Sequence, residues 1–175
     1  MRKIIVLLTL AAAAVVTAIA LATPASPPPP EPLPNLSADT ARGTFDALPR
    51  FNRKFENGGR VKLQVRGPVE LITQRIVATP GATFGWHTHP GENFNVIWQG
   101  TLTLYHDENC NTGILYGPGS AFSTHPEDVH LARNNGTVDL VFFATYFAPK
   151  SATATPTPVR VDVPESDLPP GCTLR

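Results

Sequence analysis

The 175 residues carry 14 Lys+Arg against 14 Asp+Glu, a formal net charge of +0, and 42% of the chain is hydrophobic. No basic stripe stands out, which argues against a nucleic-acid partner. The length suits one domain with one core once the ends are set aside.

Arg2 and Lys3 precede a mostly apolar, uncharged run from Ile4 to Ala22, and Ala20-Leu21-Ala22 fits a small-x-small cleavage pattern. Residues 1–22 therefore read as an export signal, with Ala25 as a second cut. Left uncleaved, the same run could span a bilayer, the only route to a membrane in this chain. Either way the globular part is expected outside the cytoplasm: secreted, or in the periplasm or cell envelope. Cleavage removes Arg2 and Lys3 and leaves a net charge of −2. Pro24 to Pro34 holds seven of the nineteen prolines. Residues 23–43 read as an extended, proline-rich linker. Thr40 to Leu48 is expected to form a short helix, capped by Asp39 or Thr40 and stopped by Pro49.

Beyond this point the chain reads as short strands between turn signals. Val61, Leu63 and Val65 alternate with polar residues up to Gly67-Pro68. A second strand covers Glu70 to Ala78, ended by Thr79-Pro80-Gly81. Asn93 to Tyr105 forms a third stretch, with Gly100 as a bend or bulge. Ile114-Leu115-Tyr116 runs into the turn Gly117-Pro118-Gly119, and Asn134-Asn135-Gly136 is a hairpin signal. Val138 to Ala148 is apolar on both faces and should be largely buried. Such a series makes a β-sandwich or a barrel, and composition does not separate the two.

Two cysteines, Cys110 in a turn and Cys172 near the end, suit an oxidising compartment. Their expected disulfide would staple residues 150–175 to the barrel, with Val159 to Val163 as an edge strand and the histidine site unaffected by the staple. A thiolate metal ligand is the alternative, without a nearby histidine spacing to support it.

The chemistry concentrates in Gly85-Trp86-His87-Thr88-His89 and in Val129-His130-Leu131. Histidines two apart on a strand share a face, so His87 and His89 can meet one divalent ion from one side, with His130 as a third ligand. Gly81, His87, His89 and Gly100 fit the pattern G-x5-H-x-H-x3-E-x6-G; Asn93 fills the glutamate position and Glu92 lies one residue early. Pro118, Gly119, Phe122, Pro126, His130 and Asn134 fit P-G-x-x-F-x-x-P-P-G-x-x-H-x-x-x-N. His125 and Glu127 depart from that second pattern.

The linked motifs, over about Gly81 to Phe147, resemble the cupin superfamily. The resemblance implies an all-β, single-domain cupin barrel (a double-stranded β-helix, or jelly roll) over residues 44–149. It also implies His87, His89 and His130 as ligands to a divalent transition metal: zinc, iron, manganese, nickel or copper. Asn93 would offer a neutral amide oxygen, leaving the site one negative charge short. Glu92 could replace it only if a bulge turned it inward. A metal-free polar pocket, with the histidines bonding a ligand, is the competing reading. Period-2 alternation from Asn93 puts Asn95, Ile97 and Gln99 on the pocket side, with Glu92 a further pocket candidate. Phe84, Phe122, Phe142 and Tyr146 are candidates for an apolar wall. Trp86 should face away from the site, and Trp98 should pack between the sheets. His125 sits at the pocket mouth or in a solvated turn, and His106 reads as a surface residue. The expected function is an exported small cupin that binds a divalent metal, a small organic ligand or both; the alternative is a metal-dependent enzyme of dioxygenase or isomerase type. The expected partner is a small molecule, with a homodimer left open.

Overall fold

The computed structural model describes residues 35–45, 49–150 and 157–172. Twelve strands follow in chain order: β1 Leu36–Thr44, β2 Arg50–Lys54, β3 Arg60–Gln64, β4 Val69–Ala78, β5 Thr83–Thr88, β6 Glu92–Gln99, β7 Leu102–His106, β8 Ile114–Tyr116, β9 Ala121–Thr124, β10 His130–Arg133, β11 Leu140–Pro149 and β12 Val161–Asp162. They form two five-stranded sheets, β1-β4-β11-β6-β9 and β12-β5-β10-β7-β8, and a β2–β3 ribbon. Every pairing is antiparallel. This is the expected all-β cupin barrel, with each large sheet turning one face inward.

The core follows from alternation. Along β6, Asn93, Asn95 and Ile97 point inward while Phe94 and Val96 point out. Ile72, Ile76, Ile97, Leu102, Leu104, Leu140 and Phe142 meet between the sheets as one apolar cluster. Burying a side chain of this kind stabilises by about 1.5–3 kcal/mol, so a few such residues outweigh the net stability of a small domain. Asn134, fully buried, ties the layers together: its Nδ2 donates to the Ala78 and Val138 carbonyls, and its Oδ1 accepts from the Gly136 amide. The asparagine of the second motif is thus a structural clasp away from the histidines.

Three local expectations change. Residues 36–44, read as linker end and the first part of a short helix, form the strand β1, paired with β4 from Leu36↔Ala78 to Thr44↔Glu70; residues 46–48 of the expected helix lie outside the described residues. A β4 edge open to pairing outweighs weak helical capping in a short, small-residue segment. The stretch Asn93 to Tyr105 is two strands in different sheets, broken at the bend expected at Gly100. Its φ of +74° and the approach of Asp139 O, 2.7 Å from where a Cβ would sit, leave room only for glycine. Trp98 lies 71% exposed instead of between sheets. The register steps from Phe142↔Ile97 to Val141↔Gln99, so Trp98 is the extra residue of a bulge. The bulge reverses the inside–outside phase and turns Gln99, expected in the pocket, to the surface, where its Nε2 donates to Asp139 O.

The tail behaves as expected and does more. Cys110 and Cys172 form a disulfide, packed with Trp86 and Leu131 in a second apolar cluster. From Thr157 the tail crosses the barrel: the Thr157 carbonyl accepts from Arg42 Nη1, and β12 pairs with β5 at Thr88 and His87.

Candidate metal centre

A bulge in β5 sets the site. The register slips from Leu131↔Trp86 to Arg133↔Thr83, with Gly85 at φ +65° in the extra position. A glycine with positive φ is what such a bulge requires. The next residues resume pairing with His87 directly opposite His130. His89 follows on the same face, just past the strand end. Ring centroids lie 4.4 Å apart for His87–His130, 4.9 Å for His87–His89 and 5.0 Å for His89–His130. All three histidines are buried, and one ring nitrogen from each falls within 4.8 Å of the others.

The opposite ring nitrogens are engaged. His87 Nδ1 meets Gly85 O at 2.9 Å, His130 Nδ1 meets Asp128 O at 2.9 Å, and His89 Nδ1 meets Val159 O at 2.6 Å. A carbonyl only accepts, so each Nδ1 carries the proton and each Nε2 presents a lone pair. Backbone carbonyls commonly orient metal-binding imidazoles in this way. The rings are held neutral as well. Burial, then the charges of His130, Arg160 and His89, puts His87 well below the ordinary 6.5. Burial also lowers His89, against the bond to Val159. His130 is brought down to about 4, chiefly by burial and then by His89.

Asn93, register partner of Tyr146 on β11, joins this group. Its Nδ2 lies 3.1 Å from His89 Nε2, and its buried Oδ1 has no partner. An amide turned end for end would bring that orphaned oxygen toward the lone pairs. Three neutral imidazoles with preset tautomers and one spare amide oxygen fit a divalent transition metal.

Below the histidines lies a cavity of about 320 Å³, at the lower end for small-molecule sites. Phe84, Phe122, Phe142 and Tyr146, all expected as wall, line it, as does Asn95. Ile97 faces inward but belongs to the packed core. Glu92 leaves the pocket: its Oε2 sits 2.6 Å from His125 Nδ1 on the rim, and that contact raises the His125 pKa. Glu92 immediately precedes Asn93 on the strand, so it points to the opposite face. Trp86 faces away into the disulfide cluster, as expected. His106 is half-buried and pairs in register with His130.

Sequence reading missed Leu36, Ser37 and Ala38 of β1, which wall the cavity, and Arg160 and Val159 of the tail. The alternation in Val159 to Val163 was the available signal: it marked a strand, and the residue preceding a strand beside β5 falls at the histidines.

The architecture and the histidine triad are those expected of a cupin domain. The Cupin domain family matches residues 74–146, from β4 to β11, and the chain carries a cupin domain. Among solved structures, a double-stranded β-helix protein from Klebsiella pneumoniae is 18% identical, with a TM-score of 0.42, over 47% of this chain and 70% of that one. A cupin domain from Bordetella pertussis is 20% identical, TM-score 0.40, over 48% of this chain and 86% of that one. An oxalate oxidase in complex with glycolate is 18% identical, TM-score 0.40, over 45% of this chain and only 42% of that one. No curated protein matches the sequence.

Proposed function

We propose that the chain is an exported small cupin that holds one divalent transition metal through His87, His89 and His130 and admits a small organic ligand to the cavity beside it. One observation carries the metal reading: all three Nδ1 atoms face backbone carbonyls, leaving three convergent Nε2 lone pairs. The export reading rests on the apolar N-terminal run, which lies outside the described residues, and on the Cys110–Cys172 disulfide. A metal bound there would supply Lewis acidity and a coordination position open to the cavity. The chain's own residues would hold the imidazole tautomers, exclude water with the phenylalanine wall and orient a ligand.

Binding without turnover is favoured over catalysis because, among the described residues, no aspartate or glutamate lines the cavity to act as a general base. The open face of the triad keeps a dioxygenase- or isomerase-type enzyme as the second reading. Protein purified without chelating resin should carry about one divalent ion per chain. Absence of metal after reconstitution would overturn the metal reading, and oxygen uptake with phenols or thiols would move the function from binder to enzyme.

Replacing Asn93 by glutamate should tighten metal binding about tenfold, because an anionic oxygen stabilises a divalent ion more than a neutral amide does. Competition titration against a chelator reads this directly. Equal or weaker affinity would mean that residue 93 does not approach the ion.

A further inference from the structure

The residues around the cavity are unbalanced in charge. Its ionisable lining groups are His89, His130, Tyr146 and Arg160. Of these, only the guanidinium carries a charge at every working pH. Arg160 is then the only permanent charge on the wall among the described residues. Its side chain is 24% exposed. Its Nη2 lies 3.5 Å from where a Cβ would sit on Gly85, which places the guanidinium against the β5 bulge. Asp162 accepts from Nε, but its own side chain is 65% exposed. It offsets the cation only in part. A guanidinium drawn toward a cavity walled by Phe84, Phe122 and Phe142 is poorly solvated, and burial lowers its pKa. An anion inside the cavity would relieve that cost.

The shape of the lining narrows the anion. Arginine's planar fork matches a carboxylate through two parallel bonds. The wall is mainly aromatic and aliphatic and carries a single cation, which suits a singly charged anion with an apolar body better than a phosphate dianion. Resting on the reading of the cavity as a ligand site, we propose that it takes a small organic monocarboxylate, with its apolar body against Phe84, Phe122 and Phe142 and its carboxylate against Arg160. Arg160 lies beyond the matched residues 74–146, so selectivity comes from the tail that crosses the barrel, not from the matched domain.

The test compares phenylacetate, its neutral isostere phenylacetamide and inorganic phosphate by calorimetry on the full mature chain, stripped of metal by chelator. Wild type should bind phenylacetate at least about tenfold more tightly than phenylacetamide. In Arg160→Gln the ratio of the two affinities should fall to near unity, while Arg160→Lys retains part of it. An intact disulfide and an unchanged melting profile would certify that both variants fold. Asp162→Asn, which removes the competing carboxylate, should raise phenylacetate affinity. Equal binding of acid and amide by wild type would overturn the proposal. So would a preference that survives Arg160→Gln, a fall in affinity in Asp162→Asn, or phosphate binding tighter than phenylacetate. The metal reading fails separately. A carboxylate preference that appears only on metal loading sinks the role of Arg160 and leaves the triad standing. A preference that follows Arg160 in protein unable to take up metal does the reverse.

Discussion

Protein carrying His87→Ala and His89→Ala together should retain less than about a tenth of the wild-type metal, because one imidazole cannot hold the ion against water. The barrel itself should survive. The removed rings bond only the Gly85 and Val159 carbonyls and the Asn93 amide, and the apolar cluster between the sheets does not include them. Elemental analysis gives the result, and unchanged metal content would remove the triad as the site. Acid stability offers a second readout on metal-free protein. The folded pKa values of these histidines lie below the ordinary 6.5, with His130 at about 4. Between those values the unfolded chain binds more protons than the folded one, so stability is present above pH 6.5 and falls as the pH drops toward 4. The double variant has fewer buried imidazoles and should show a shallower loss. An equal slope would mean that the histidines do not set acid stability.

Breaking the disulfide should have the largest effect on stability. Cys110 and Cys172 lie 62 residues apart, and closing a loop of that length stabilises by about 4 kcal/mol on a chain-entropy basis. Cys172→Ala should lower the melting temperature and expose the residues after Lys150 to protease. The structure changes one part of the expected result. Val159 supplies the carbonyl that fixes His89, and Arg160 lines the cavity, so the site does not stand apart from the staple. A loosened tail should also weaken metal retention, through loss of the His89 tautomer lock. Metal affinity unaffected by reduction would show that Val159 is dispensable to His89.

The parts legible in the sequence were those fixed by short-range periodicity. The histidine pair and the inward Asn93 and Asn95 follow from alternation along single strands; His89, both asparagines and the aromatic wall line one cavity, and His87 stands beside His89 and His130. The missed parts depend on partners distant in sequence. β1 shows little alternation of its own and owes its form to the β4 edge. Gln99 was misplaced because the phase changes at Trp98, ahead of the Gly100 that marks the bend. Arg160 reaches the cavity only because the tail pairs beside β5, a partnership distant in sequence.

The two tryptophans stand in opposite surroundings. Trp86 is 6% exposed, packed with the Cys110–Cys172 sulfurs, and Trp98 is 71% exposed on its bulge. Disulfides quench a neighbouring indole, whereas an indole in water emits further to the red and is open to a soluble quencher. The chain therefore carries two separable optical reporters. Light from Trp98 should follow the outer face of the sheet, and emission from Trp86 should rise when the bond that pins the tail is opened.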